Sequence, residues 1–265
     1  MAKRALLVGC NYRGTPNELR GCIDDVRDVA QLLRQRGYTE MVVLTDDSIA
    51  PTKANILAGI AWLLSAEEAH IFEGPKTYRG SAGRGAKLFF HYSGHGSTVP
   101  CHKGEEVTGR DSVICPLDFQ HSGFILDDEL KAKLADKIPS GARLLALSDS
   151  CFSGTVFDLC ANLMEDEEGN CDLDINHHES ETKGEVILLS GCEDTQTSAD
   201  CVIDGRPNGA LTAAFLNVMH RHNCQVTCDV LLREVRQYIR SRALSTQIPC
   251  LSFGRRESAE TDFSL

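Results

Sequence analysis

Short apolar runs alternate along the chain with segments whose apolar residues recur at helical spacing. The apolar runs predict strands at residues 4–8, 41–44, 87–92, 112–115, 142–148, 185–190 and 250–253. The helical spacing predicts helices at residues 23–33, 56–64, 127–138, 209–219 and 230–239, with a further helix from about Ser153. This alternation favours an α/β fold, in which a mostly parallel sheet is covered by helices on both faces.

The composition argues against several classes of protein. The 265 residues hold 27 Lys and Arg against 38 Asp and Glu, and a net charge of −11 is not that of a nucleic-acid binder. No apolar run reaches the ~18 residues of a membrane span, and the short apolar start lacks the features of a signal peptide. The 12 cysteines are therefore expected to be mostly free thiols in a reducing compartment, which indicates a cytoplasmic protein.

A strongly acidic segment interrupts the pattern at residues 164–184. It carries eight acids and one base, so most of the excess negative charge lies there. This composition predicts a solvated, poorly ordered linker between a part at 1–163 and a part at 185–265. Because Lys183 is the only basic residue of the segment, the bond after it is a candidate cleavage site.

Two Gly/Ser-rich turns follow predicted strands directly. HYSGHG occupies residues 91–96 and DSCFSG residues 149–154. Ligands bind at the carboxyl ends of the strands in an open parallel sheet, and neighbouring strands lie about 5 Å apart. If the two strands are neighbours, His95 and Cys151 face each other. The alternative is a buried cysteine and a hydrogen-bonded histidine at strand ends.

Such a pair has the chemistry of a cysteine nucleophile and its base. A free thiol with a pKa near ~8.5 is mostly protonated at neutral pH, and a nearby imidazole helps to ionise it. The predicted helix after Cys151 would also favour the anion. His95 could then protonate a leaving amine, and the backbone N–H groups of Gly96 and Cys151 could stabilise an oxyanion.

The acid that precedes the nucleophile indicates the charge of the substrate. Asp149 lies two residues before Cys151, where a carboxylate repels acidic side chains and pairs with Arg or Lys. The alternative role is a cap on the following helix.

Eight separated blocks of the sequence resemble the metacaspases, cysteine peptidases of the caspase-like clan. The blocks are NYRGTPNELRGCIDDV (11–26), LTDD (44–47), FFHYSGHG (89–96), PLDF (116–119), DSCFSGT (149–155), GCEDTQTSAD (191–200), NGALTAAF (208–215) and STQIPCLSFGR (245–255). The resemblance implies a caspase-like three-layer sandwich and a catalytic dyad of His95 and Cys151. Phe152 departs from the family, which usually has histidine there.

The same resemblance implies a substrate pocket and a metal site. Cleavage would follow Arg or Lys, and the family's pocket maps to Cys22, Asp25, Ser93 and Asp149. Apart from this resemblance, the residue pattern alone predicts that Asp25 is an exposed acid at the start of a helix. Many metacaspases need Ca²⁺, and their site maps to Asp111, Asp127, Asp128 and Asp158, although Asp127 and Asp128 alone fit a helix N-terminus.

Together these features predict a calcium-dependent cysteine endopeptidase that acts on protein or peptide substrates with Arg or Lys before the scissile bond. The expected organisation is a type I-like catalytic core without a prodomain, monomeric, with no nucleic-acid or membrane partner. Its large and small parts would complete one domain, with self-cleavage after Lys183. Two alternatives remain: a non-catalytic caspase-like scaffold, and a nucleotide-binding signalling domain, which the missing phosphate-binding motifs weaken.

Overall fold

The structure is a computed structural model that describes residues 2–65, 82–100, 110–150, 156–165, 171–191, 200–203, 206–242 and 248–265. The strands are β1 (Lys3–Gly9), β2 (Glu40–Thr45), β3 (Lys87–Ser93), β4 (Gly96–Pro100), β5 (Arg110–Ile114), β6 (Ile125–Leu126), β7 (Arg143–Asp149), β8 (Ala161–Glu165), β9 (Cys171–Ile175), β10 (Glu185–Ser190), β11 (Asp200–Ile203), β12 (Arg206–Gly209), β13 (Gln225–Thr227), β14 (Cys250–Phe253) and β15 (Asp262–Ser264). The α-helices are α1 (Cys22–Gln35), α2 (Lys53–Ser65), α3 (Phe119–Ser122), α4 (Asp127–Lys133), α5 (Ala210–Arg221) and α6 (Cys228–Ser241). Short 3₁₀ helices span Ala135–Lys137 and Arg256–Glu260.

The central sheet has the strand order β2-β1-β3-β7-β10-β14-β8-β9. The first five strands in that order are parallel, whereas β14, β8 and β9 pair antiparallel to their neighbours. The parallel strands are apolar runs that are buried on both faces, as such strands must be. The predicted α/β class is therefore confirmed.

Helices cover both faces of this sheet and enclose two apolar clusters. On one face, α1, α5 and α6 pack against odd-numbered positions of β1 and β3 through buried residues that include Val26, Leu33, Phe215, Leu231 and Ile239. On the other, α2 and α4 pack against the alternate positions through Ile56, Ile60, Leu63 and Leu130. Side chains of a strand alternate between the two faces of the sheet, so each apolar strand contributes side chains to both clusters. The sheet and the helices on its two faces therefore form three layers.

The described residues of the acidic segment are more ordered than its charge predicts. Instead of lying in a poorly ordered linker, they include β9 and the end of β8, which pair antiparallel at one edge of the central sheet. Residues 171–175 alternate strictly: Asp172 and Asp174 are exposed, while Leu173 is half-buried against the core. The alternation of exposed and half-buried positions is typical of a strand at a sheet edge. The number of acidic residues had suggested disorder instead. The division of the chain at 164–184 stays a prediction.

The helix predicted from about Ser153 is not found where the structure describes that segment. Residues 151–155 lie outside the described part of the chain, residues 156–157 form a turn, and β8 begins at Ala161. The described residues therefore give no support to a helix dipole beside Cys151. The eight cysteines whose side chains the structure describes are free thiols. None of the described helices is long and apolar enough to cross a membrane.

Candidate active site

The carboxyl ends of β1, β3 and β7 meet at one edge of the sheet. Gly9 is in register with Ser93, and Ser93 with Asp149. The Gly94 N–H donates to the Asp149 carbonyl oxygen over 3.3 Å, so the turn that carries His95 lies beside the end of β7. Ser150 is fully buried at that end. Cys151 and Phe152 follow it in sequence but lie outside the described residues.

His95 is held in one tautomer by the loop that follows β1. Its Nε2 lies 2.8 Å from the Asn17 carbonyl oxygen. A carbonyl oxygen only accepts hydrogen bonds, so Nε2 carries the proton and Nδ1 is the basic nitrogen. The imidazole is half-buried and its ring centroid lies 4.8 Å from that of Tyr12, at an interplanar angle of 35°. Because the Asn17 carbonyl anchors Nε2, Nδ1 is the nitrogen of this ring that could take up a proton.

Two buried tyrosine hydroxyls hold the backbone of His95. The His95 N–H donates to Tyr12 Oη over 3.1 Å, and Tyr92 Oη donates to the His95 carbonyl oxygen over 2.8 Å. Burial raises the pKa of both phenols well above the usual value, so they stay protonated. At Gly94 a Cβ would lie 2.7 Å from Tyr92 Oη and 3.0 Å from Tyr12 Oη, which explains why this turn needs glycine.

Sequence reasoning gave no role to Tyr12, Asn17 or Asp46. The Asp46 carboxylate accepts the Asn11 N–H over 2.9 Å and the Arg13 N–H over 3.2 Å, and so fixes the loop that carries Tyr12 and Asn17. Both ends of this arrangement lie within blocks that resemble metacaspases, NYRGTPN and LTDD, but the pairing is between segments distant in sequence. Only the three-dimensional contact shows that this loop supports His95.

Replacing Tyr12 with phenylalanine is expected to lower kcat about tenfold. The ring stays beside the imidazole, but the His95 N–H loses its hydrogen-bond acceptor. Leaving a buried polar group without a hydrogen bond costs about 1–3 kcal/mol of free energy. Tyr38→Phe is the control, because it removes another fully buried phenol, one that packs against Phe89 in the core. A kcat that falls equally in both variants would contradict a specific role of Tyr12.

The four predicted pocket residues lie together at this edge. Asp25 is only 2% exposed and Asp149 only 3%, so the alternative of an exposed acid at the helix start is wrong for Asp25. Ser93 Oγ donates to Asp25 Oδ2 over 2.7 Å. Burial, and next the charge of Asp25, raise the pKa of the Cys22 thiol, which also contacts Ser93. Cys22 is therefore neutral, and the two carboxylates supply the charge.

The start of α5 joins the two carboxylates and was not anticipated from the sequence. The Gly209 N–H donates to both oxygens of Asp25, over 3.0 and 3.1 Å. The N–H and the Oγ of Thr212 each donate to Asp149 Oδ2 over 2.8 Å. Asp149 thus caps a helix, as the alternative reading proposed, but the helix is α5 and not the one expected after Cys151. A Cβ at Gly209 would lie 2.1 Å from Asp149 Oδ2 and 2.8 Å from Asp25 Oδ2.

A second acidic group lies where β5, α4 and the turn after residue 155 meet. Asp127, Asp128 and Asp158 each place one carboxylate oxygen within 4.8 Å of the other two. Asp127 Oδ2 accepts the Ser112 N–H over 2.5 Å, and Asp158 has a left-handed backbone (φ 41°) that asparagine and aspartate tolerate better than most residues. Lys131 Nζ donates to the Asp158 carbonyl oxygen over 2.8 Å. Three carboxylate oxygens at this spacing fit Ca²⁺, which prefers hard oxygen ligands.

Asp111, the fourth predicted calcium ligand, is not part of that group. It lies on β5 opposite Val99, half-buried, one position before Ser112. Successive side chains of a strand point to opposite faces, so Asp111 and Ser112 face different sides of the small sheet formed by β4, β5 and β6.

Lys183 is exposed, but the backbone around it is tightly held. The Thr182 N–H donates to the Gly254 carbonyl oxygen over 2.8 Å, and Arg255 Nη1 donates to the Lys183 carbonyl oxygen over 3.1 Å. Gly184 is buried, and a Cβ there would lie 2.4 Å from Ile138 Cγ2. Residues 182–184 therefore have to lose these contacts before a peptidase can bind the bond after Lys183.

Similarity to known proteins shows the family to which the chain belongs. A family model described as metacaspase, peptidase C14 domain, matches residues 3–160. The chain is 37% identical to Metacaspase-1 of Mycosarcoma maydis over 91% of this chain and 68% of that relative. It is 36% identical to Metacaspase-1 of Schizosaccharomyces pombe over 94% and 67% of the two chains. The chain belongs to the metacaspase family.

A solved structure agrees with this metacaspase fold. The crystal structure of a Geobacter sulfurreducens protein superposes with a TM-score of 0.66 at 24% identity, covering 98% of this chain and 97% of that chain. The metacaspase chain spans about two thirds of the length of the two fungal relatives. Family membership supports a cysteine-type peptidase, a hydrolase that acts on proteins.

Proposed function

We propose that this metacaspase is a calcium-dependent cysteine endopeptidase that cleaves after Arg or Lys, with Cys151 as nucleophile and His95 as its base. The observation that carries the proposal is the pair of buried carboxylates, Asp25 and Asp149, beside the strand end that leads to His95. Two carboxylates that are this deeply buried favour a cationic partner, and Arg or Lys is the side chain that supplies one.

The tautomer of His95 supports a specific order of proton transfers. Nδ1 takes the proton of the Cys151 thiol, and Sγ attacks the carbonyl carbon of the residue bound in the pocket. As the C–N bond breaks, Nδ1 gives that proton to the leaving amine, and a thioester remains. Water attacks the thioester with Nδ1 again as base, which releases the acid and restores the thiol. In this proposal the N–H groups of Gly96 and Cys151 bind the oxyanion.

The calcium requirement rests on Asp127, Asp128 and Asp158. When bound, Ca²⁺ would offset two of the three negative charges of these carboxylates. Asp127 is tied to β5 through Ser112, and β5 pairs with β4, whose first residue follows His95 directly. Asp158 lies seven residues after Cys151. Asp111 lies on β5 itself, and Asp127 and Asp128 begin α4. The four residues predicted as ligands thus lie in segments connected to His95 through β4 and β5, or to Cys151 through the chain that follows it.

A peptide assay tests the proposed function. Matched peptides with Arg, Lys or Asp before the scissile bond are incubated with and without Ca²⁺, alongside Cys151→Ala. We expect Ca²⁺-dependent cleavage of the Arg and Lys peptides alone, and none by the variant. Cleavage that persists in Cys151→Ala would remove the mechanism, and preferred cleavage after Asp would remove the specificity.

Self-cleavage after Lys183 is expected to give fragments of 183 and 82 residues when Ca²⁺ is added. Arg255→Ala should speed this cleavage about fivefold, because it removes a hydrogen bond to the Lys183 carbonyl, a contribution of about 1 kcal/mol. Gel electrophoresis with intact-mass measurement follows both proteins. An active enzyme that stays a single band would exclude this site.

The expected monomer is supported by the acidic edge of the sheet. Asp172 and Asp174 are exposed on β9, the last strand at that edge. Edge-to-edge pairing of two copies would bring these like charges close together, which disfavours it. Sedimentation analysis measures the oligomeric state of the unsubstituted chain and of the double variant Asp172→Asn, Asp174→Asn. A stable dimer of the unsubstituted chain would contradict the expectation.

A further inference from the structure

His91, the first histidine of HYSGHG, is fully buried in β3, and the mechanism above does not use it. Its neighbours in register on β1 and β7 are Leu7 and Leu147, both buried. Burial lowers the pKa of His91 to about 3, so the ring is neutral near pH 7. A buried polar ring among leucines is unfavourable unless it makes a hydrogen bond.

That hydrogen bond leads to the pocket. His91 lies two residues before Ser93, on the same face of β3, so it is one layer beneath the pocket. Its Nε2 lies 3.4 Å from Thr212 Oγ1, and Thr212 Oγ1 lies 2.8 Å from Asp149 Oδ2. The three groups form a continuous line from the sheet interior to the pocket carboxylate.

The direction of each proton in this line follows from its acceptor. A carboxylate accepts, so the hydroxyl proton of Thr212 goes to Asp149. Thr212 Oγ1 is then left to accept from His91, which places the imidazole proton on Nε2. Without that donor the hydroxyl could rotate and donate to a backbone carbonyl of the preceding turn instead, and Asp149 would lose this hydrogen bond.

We propose that His91 is a positioning residue for the pocket: it fixes the Thr212 hydroxyl as a donor and thereby orients the Asp149 carboxylate towards a cationic side chain. This inference rests on the proposed Arg/Lys specificity and gives it a further determinant. His91 touches neither the substrate nor the nucleophile. Its removal therefore weakens the preference for a positive charge and leaves binding of the rest of the peptide unchanged.

The test measures binding without catalysis. In the Cys151→Ala variant of the whole 265-residue chain, fluorescence anisotropy gives Kd for two labelled peptides, one with Arg before the scissile bond and one with its neutral analogue citrulline. The ratio of the two Kd values reports the acidic pocket alone. His91→Gln keeps a donor near the position of Nε2, His91→Asn places its amide nearer to Nδ1, and His91→Met has no donor.

We expect His91→Met and His91→Asn to reduce the preference for Arg about tenfold, and His91→Gln to retain it within about twofold. A Met variant that keeps the full preference, or equal losses in Gln and Met, would overturn the inference. Absence of any preference in the chain that retains His91 would overturn the proposed specificity instead.

Thr212→Val provides a second route that leaves His91 in place. It removes the hydroxyl but keeps the N–H that also donates to Asp149. The same tenfold loss is expected, with no further loss when His91→Met is combined with it, because both changes break one line of contacts. If His91→Met does not fold, an unchanged preference in Thr212→Val overturns the inference. Additive losses in a folded double variant do the same.

Discussion

Gly209→Ala is expected to lower kcat/KM for Arg peptides about 100-fold or more. The added Cβ would lie 2.1 Å from Asp149 Oδ2, so the carboxylate has to move by more than 1 Å. A displacement of that size at a substrate-positioning group is worth about two orders of magnitude. The backbone at residue 209 (φ −71°, ψ 137°) accepts alanine, so the effect is steric rather than conformational.

Gly59→Ala is the matched control for that variant. Gly59 is also buried and crowded, since a Cβ there would lie 2.7 Å from Leu6 Cδ1, but it packs α2 against the opposite face of the sheet. We expect kcat/KM of Gly59→Ala to stay close to that of the unsubstituted enzyme. Equal losses in the two variants, measured on folded protein, would show that crowding alone is harmful and would remove the pocket argument.

Asp25→Asn is expected to reduce kcat/KM for Arg peptides about 100-fold, which corresponds to about 2.7 kcal/mol. The change keeps the shape of the side chain but removes one of two buried charges that would face a cationic substrate. It also places an amide where both Ser93 and Gly209 now donate. Steady-state kinetics with Arg peptides measures the loss.

The neighbouring acid supplies the control. Asp24→Asn makes the same change one residue earlier on α1, where the carboxylate is partly exposed and pairs with Arg27 over 2.9 Å. A surface ion pair of this kind contributes little, so activity should be unaffected. If Asp24→Asn and Asp25→Asn lose activity equally, net charge rather than the pocket explains the effect.

Much of the fold follows from apolar periodicity alone. The strand at residues 250–253 has the predicted bounds, and α5 and α6 lie where helical spacing predicts them. The buried strands were recognisable because parallel strands are apolar throughout. The antiparallel pair of β8 and β9 was not predicted, because negative charge outweighed a short alternating pattern. The helix from about Ser153 was part of the predicted alternation of strands and helices, but the described residues 156–157 form a turn.

The candidate site was predictable only where its residues share a local motif. Ser93 and Asp149 end the neighbouring strands β3 and β7, and His95 lies two residues after Ser93, so the parallel sheet brings them together. Gly209 and Thr212 join them through contacts that span 63 to 184 residues of sequence, as in the hydrogen bonds from Thr212 to Asp149 and from Gly209 to Asp25. Tyr12 and Asp46 support His95 through the loop that follows β1, and no local sequence pattern predicts the conformation of that loop. Such residues become visible only when the packing of distant segments is known.

Covalent labelling tests the central claim most directly, that a cysteine nucleophile lies beside a pocket selective for cations. The enzyme with Ca²⁺ is treated with peptidyl chloromethyl ketones that end in Arg or in Asp, and peptide mapping by mass spectrometry locates the adduct. We predict rapid labelling of Cys151 by the Arg reagent, slow labelling by the Asp reagent, and loss of the rapid reaction in His95→Ala. Labelling of other cysteines instead of Cys151, or equal rates for the two reagents, would contradict the account.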